Sequence, residues 1–121
     1  MGHEPDVMSS KCTSRAYMTL LASKWSLLVI NALGNDRRRN GDLMRTVDGI
    51  SQKMLTQTLR ELEEVGIVIR EDLGTIPPHV TYELSPLGKS LGHEVRSFIH
   101  WVEAHMPDLA KPRSKPRSGK P

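Results

Sequence analysis

Apolar positions in the first half of the chain recur at helical spacing, and the period then changes. Tyr17, Leu20 and Leu21 mark one side of a first helix over about 13–22. Ser23 is an N-cap residue type for a second helix, in which Trp25, Leu28, Val29, Ala32 and Leu33 fall at i, i+3, i+4, i+7 and i+8; Gly34 is its stop. Asn40 can cap a short third helix carrying Leu43, Met44 and Val47, with Asp42 in the first turn, where the helix dipole favours an acid. Asp48-Gly49 makes a turn, Ile50 anchors it, and Ser51 caps a fourth helix to about residue 65. There Leu55, Leu59 and Leu62 repeat at i, i+4 and i+7 before Gly66 ends it. Ile67-Val68-Ile69-Arg70 is β-branched, Gly74-Thr75-Ile76-Pro77-Pro78 is a turn, and 79–84 alternates with Val80, Tyr82 and Leu84 on one face. The pair predicts a hairpin. Ser85-Pro86 supplies a cap and a first-turn proline for a last helix bearing Leu87, Leu91, Val95, Phe98, Ile99, Val102 and Met106, expected to end near Pro107.

The fold class is mainly α with a small β-hairpin (α+β). Helix–helix–turn–helix followed by a hairpin is the order of a winged helix-turn-helix, here flanked by an N-terminal and a C-terminal helix. Three segments are expected: a flexible N-terminal arm over 1–11, a folded domain over 12–110, and a basic tail over 111–121 that cannot bury apolar area and should be disordered. Composition agrees with a soluble protein, with 26% charged and 37% apolar residues in 121. The longest apolar run, Leu27-Leu28-Val29-Ile30, is far short of a membrane span. Nothing at the start has the pattern of a secretory leader, so a cytoplasmic location is expected.

Net charge is +3, but its distribution says more than the total. The tail carries five basic residues and no acid, which leaves 12 basic against 14 acidic residues elsewhere. From Ser23 to Arg60 the balance is +4, and from Glu61 to Ala110 it is −6. A basic first half against an acidic second half suggests one surface facing a polyanion and another turned away.

The fourth helix sharpens that picture. At 100° per residue, Thr56, Gln57 and Arg60 fall within about 60° of Lys53, whereas Leu55, Leu59 and Leu62 lie about 180–240° away. The polar face offers an ammonium, a guanidinium, an amide and a hydroxyl. Such a face suits the major groove: Lys53 and Arg60 reach guanine acceptors or phosphates, and Gln57 can pair with adenine. Ser51 and Gln52 stand at the helix N-terminus, where backbone amides favour a phosphate. Arg39, ahead of the third helix, and His79, on the hairpin, complete the candidate DNA-binding set. An ordinary amphipathic helix with a solvated face would show the same separation, and only the capped helix before it and the hairpin after it favour DNA.

Several stretches also carry a family likeness. Ser23-Lys24-Trp25-Ser26-Leu27-Leu28, Gly49-Ile50-Ser51-Gln52-Lys53-Met54-Leu55-Thr56, Leu59-Arg60-Glu61-Leu62-Glu63-Glu64-Val65-Gly66, Ile76-Pro77-Pro78-His79-Val80-Thr81-Tyr82-Glu83-Leu84-Ser85-Pro86-Leu87-Gly88 and Trp101 together resemble the HxlR-type, MarR-like winged-helix transcriptional regulators. The likeness runs from about Cys12 to His105. It implies a homodimer that binds palindromic operators in double-stranded DNA as a repressor or activator, with repression the expected sign. Many members sense oxidants, electrophiles or aldehydes, and in the redox-sensing ones a cysteine stands just ahead of the first helix, where this chain has Cys12. The chain departs from the family pattern at Ser23, usually Gly; at Asn40, usually an aromatic; and in Glu71 and Asp72, which make the wing less basic.

Cys12 is the single cysteine, which excludes an internal disulfide, and Lys11 and Arg15 flank it with positive charge that favours thiolate. A small buried cysteine is the competing reading. His79, His93, His100 and His105 lack metal-ligand spacing, no cofactor is implied, and no acid pair, nucleophile motif or phosphate loop points to an enzyme. The last helix has a broader apolar stripe than so short a chain needs. Tyr17, Leu20, Leu21, Leu91, Val95, Phe98, Ile99, Trp101 and Val102 are therefore the candidate dimer interface, on the order of 2,000 Å²; covering the monomer's own core is the alternative. A winged-helix module that binds protein rather than DNA is the alternative for the whole chain.

Overall fold

In the computed structural model, which describes residues 4–110, the elements follow the predicted order: α1 (Thr13–Leu21), α2 (Lys24–Leu33), α3 (Asn40–Thr46), α4 (Gln52–Glu64), β1 (Val68–Asp72), β2 (Val80–Leu84), α5 (Pro86–Ala104) and α6 (Met106–Ala110). The strands pair antiparallel, Val68 opposite Leu84 and Asp72 opposite Val80. The expected basic tail lies outside the described residues. No single helix among the described residues is long and apolar enough to cross a membrane.

The core forms where the apolar stripes meet. Val29, Ile30 and Leu33 of α2 pack with Leu43 of α3, with Leu55, Leu59 and Leu62 of α4, with Ile67, Val68 and Leu84 of the hairpin, and with Val95 of α5. Burial of side chains this size contributes about 1.5–3 kcal/mol each. Local chemistry fixes the ends. Ser23, Ser51 and Ser85 each accept a hydrogen bond at the side-chain oxygen, from the backbone N–H of Ser26, Met54 and Gly88 respectively. After α4, the N–H of Gly66 donates to Glu63 and that of Ile67 to Leu62, with Gly66 at φ 83°, so the chain turns straight into the strand.

Four details differ from the sequence reading. The N-cap of α3 is Arg39, whose backbone N–H donates to Asp42 Oδ2 at 3.2 Å, so Asn40 is already helical. The last helix ends at Ala104, and a separate short α6 follows with Pro107 near its start, a position proline tolerates. Arg38 and Tyr82 exchange backbone hydrogen bonds of 2.8 and 2.7 Å, adding a one-residue rung to the hairpin that no periodicity announces. Residues 6–12 form turns, with the Arg15 guanidinium donating to the carbonyls of Val7 and Met8 at 3.0 Å each.

The broad stripe of α5 divides in two. Leu91, Val95 and Ile99, at i, i+4 and i+8, turn inward; Val95 is 4% exposed. It therefore belongs to the monomer's core and not to the expected dimer interface, because α5 packs on α2 and Val95 joins the buried cluster that holds Ile30 and Leu84. Leu87, Phe98 and Trp101 point outward, each at least half exposed. In α1, no residue is fully buried.

A candidate nucleic-acid interface

Helix α4 is held by its leucines and presents its other side to solvent. Gln52, Lys53, Thr56, Gln57 and Arg60 are all exposed, as is its cap Ser51. Three of these side chains are already engaged along the helix: Gln52 Nε2 donates to Thr56 Oγ1 at 3.0 Å, and Gln57 Nε2 donates to Glu61 Oε2 at 3.2 Å. No residue among the described ones pairs with the charged ends of Lys53 and Arg60. The Ser51 hydroxyl is occupied as the cap, accepting from Met54 N–H at 3.0 Å.

Beside α4 a groove runs toward the wing, lined by Thr56, Leu59, Arg60 and Glu63 from the helix and by Arg70 and Tyr82 from the strands. Arg70 is exposed, so a second guanidinium stands on the same groove as Arg60. The sequence reading passed over Arg70 because nothing local says that β1 lies against α4. Arg39 is exposed at the start of α3. His79 is half-buried at the root of β2, its carbonyl accepting from Leu73 N–H at 3.0 Å; the fully exposed wing tip is Ile76.

The three consecutive arginines are not equivalent. Arg37 bridges the wing's acids, reaching Glu71 at 3.3 Å and Glu83 at 3.2 Å. Arg38 Nε donates to the carbonyl of Ala32 at 2.7 Å, and its Nη2 lies 3.4 Å from Asp36. Two cations of the run are thus used inside the molecule; of the acids that weaken the wing's charge, Glu71 is answered by Arg37, while Asp72 lies 3.9 Å from the Arg70 guanidinium.

At the start of α3, the Asp42 carboxyl is held below the usual carboxylate range. Its hydrogen bond from the Arg39 backbone is the largest cause, opposed by desolvation and supported by Arg45, 2.6 Å away. A depressed folded-state value means that Asp42 stabilises the fold above the unfolded-state value and loses that contribution as pH falls through the folded one. The melting-temperature gap between the natural chain and Asp42→Asn should therefore be present near neutral pH and close on acidification; a gap constant down to strong acid would show the carboxylate to be idle.

Cys12 is the N-cap residue of α1 and is 7% exposed. Its Sγ accepts from Asp6 N–H at 3.3 Å and from Ser14 Oγ at 3.1 Å. The donors of Arg15, the cation that flanks Cys12 in sequence, reach the carbonyls of Val7 and Met8 in the preceding turn. Of the candidate dimer residues, Tyr17, Phe98 and Trp101 are exposed, and Leu20, Leu21, Leu91, Ile99 and Val102 are half-buried. A cavity of about 890 Å³ opens between α1 and α5, with Tyr17, Leu21, Ile67, Leu87 and Leu91 in its wall and Glu64 and Glu94 beside them. His105 stacks on Trp101 at 4.3 Å. Among the described residues no group of three or more His, Cys, Asp or Glu side chains could hold a metal ion.

Comparison with known proteins gives a consistent result. The family model described as HxlR-like helix-turn-helix matches residues 20–110. The HTH-type transcriptional regulator YtfH of Escherichia coli (strain K12) is 34% identical over 112 residues, covering 93% of this chain and 89% of its own. The solved structure of the regulator ytfH from Salmonella typhimurium superposes with a TM-score of 0.82 at 35% identity, over 88% of this chain and 95% of that one. HypR, a redox regulator solved in its oxidized form, superposes with a TM-score of 0.70 at 32% identity, over 77% of this chain and 96% of that one. The winged helix-turn-helix architecture is common to all of these structures.

Proposed function

The chain belongs to the HxlR-like helix-turn-helix family of transcriptional regulators, and from that premise we propose that it is a homodimeric, sequence-specific repressor that places α4 in the major groove of double-stranded DNA. The observation that carries this reading is the face of α4, where Lys53 and Arg60 project without a partner among the described residues while Leu55, Leu59 and Leu62 anchor the opposite side. Arg60 and Gln57 read base edges, Lys53 contacts base or phosphate, and Arg70, Arg39 and the α4 N-terminus at Ser51 and Gln52 bind the backbone. His79, at the loop end of the wing, is a further contact to the backbone. Arg37 answers Glu71 and Glu83, and Arg70 lies 3.9 Å from Asp72, so the wing's acids are partly neutralised on the side that approaches DNA.

The second copy covers the outward stripe of α5 and the face of α1. A nine-residue helix with no fully buried residue is too short to persist alone, and Tyr17, Phe98 and Trp101 are apolar surface that a partner removes from water. Two copies of α4 then address half-sites of a palindromic operator about one helical turn apart.

Selection of random duplexes with the purified protein tests the reading. Enrichment of paired half-sites with about 10 bp between centres is expected, with affinity falling steeply as salt rises. Binding that ignores salt, or no enrichment, would overturn it and favour a protein-binding module. Sedimentation should show a dimer at micromolar concentration.

Cys12 is the proposed sensor of oxidants or electrophiles. The likeness to HypR, a redox regulator, supports this, as does the position of Cys12 between the 6–11 turn and α1. With one thiol per chain, oxidation joins two subunits, captures a small thiol or stops at sulfenic acid. Cys12→Ser should bind the same operator as the natural chain yet stay bound in diamide or quinone. Equal release of both proteins would remove Cys12 as the sensor.

A further inference from the structure

A second polar site lies away from α4, where the C-terminal end of α2 meets the middle of α5. It is a pocket of about 150 Å³ whose wall includes Asn31 and Asn35 from α2 and the loop after it, and Lys89, His93 and Arg96 from α5. Its floor is Ile30, Leu84 and Gly92, and the missing side chain of Gly92 keeps it open: a methyl there would press on Leu84.

Three features make this more than a solvated helix face. The basic residues recur at i, i+4 and i+7, so Lys89, His93 and Arg96 stand above one another and converge on one pocket. No residue among the described ones pairs with their side chains or with those of Asn31 and Asn35. Nor are they needed to cap α2, because the carbonyls of Ile30, Ala32 and Leu33 already accept from Gly34 N–H, Arg38 Nε and Asp36 N–H. The acid in that loop, Asp36, is taken by Arg38.

Taking Leu87 as zero, the basic face lies about 180–240° around α5, opposite the Phe98 and Trp101 stripe. A dimer formed on that stripe leaves the pocket open to solvent. Its volume is below the roughly 300–1,000 Å³ of sites for drug-sized molecules and equals about five waters, which selects a compact ligand.

We propose that the α2–α5 pocket binds a compact oxyanion, a carboxylate or phosphate group, through charge-assisted hydrogen bonds from Lys89 and Arg96, with Asn31, Asn35 and His93 completing the ring. Such a ligand bridges the helix-turn-helix body to the helix leading out of it. It can therefore set the angle between them, and this consequence rests on the function proposed above.

The test is amide NMR of the full chain at constant ionic strength, titrated with inorganic phosphate and, separately, with malonate. Saturable shifts are expected at residues 31–35 and 89–96. Response to phosphate alone identifies a phosphorylated ligand, and response to malonate alone an organic acid. Lys89→Ala with Arg96→Ala, both on exposed positions, should bind at least about tenfold more weakly while the rest of the spectrum is unchanged, and Arg96→Lys should lose less. No saturable shift with either probe up to roughly 50 mM, where even millimolar sites fill, would overturn the site. So would equal affinity in the double variant. Because the titration contains no DNA, its failure leaves the regulatory reading standing.

Discussion

Gly88→Ala should destabilise the protein by about 3 kcal/mol and lower its melting temperature by roughly 10 °C or more. Gly88 is in the first turn of α5, directly over the carbonyl of Ile67, and a β-carbon there would overlap that backbone oxygen. The obstacle is main chain, held on both sides. Ser85 N–H donates to Ile67 O, and the Ser85 hydroxyl donates to Gly66 O and accepts from Gly88 N–H. Alanine is the better helix former by about 1 kcal/mol, so propensity alone forecasts stabilisation. Loss of stability would therefore identify the clash as the winning effect. Gly92→Ala is the control: there a β-carbon meets the end of the Leu84 side chain at 3.1 Å, which can rotate, and a smaller loss is expected. Denaturation midpoints of the two variants decide the matter; equal midpoints would show that the α5–Ile67 crossing is loose.

Lys53→Ala combined with Arg60→Ala should weaken operator binding by about 2–4 kcal/mol, on the order of 30- to 1,000-fold. Neither side chain has a partner among the described residues, so the double variant should melt within about 0.5 kcal/mol of the natural chain. The manner of the loss assigns the contacts. Weakening that is uniform across sequences, with a salt dependence shallower by about one ion per residue removed, marks phosphate contacts. Relaxed preference at particular base pairs marks readers of base edges. Unchanged affinity would show that α4 does not enter the groove.

Much of this surface could be read before any coordinates. The leucine repeat of α4 required Lys53, Thr56, Gln57 and Arg60 to share the opposite face, and they do. The serine caps at 23, 51 and 85 and the stop at Gly66 are local chemistry, written within four residues of where they act. Other readings needed a neighbour that sequence does not supply. Arg37, Arg38 and Arg39 look alike as a run, yet one answers Glu71 and Glu83, one closes α2, and one stays exposed. Val95 looked like its neighbours on a wide stripe, and only the packing of α5 on α2 moved it into the core.

By itself the sequence determined the order of the elements from α1 to α5, the serine caps and which side of each element was apolar. Those properties follow from a residue's own backbone preference and from spacings of two to four positions. The tertiary structure alone decided which charges remained available, that Arg70 joins Arg60 on one groove, that Arg38 pairs with Tyr82, and that Lys89 and Arg96 meet Asn31 and Asn35. An ion pair or a pocket depends on groups coming within about 4 Å after the chain has folded. Periodicity within one element carries no information about which distant segment will arrive there.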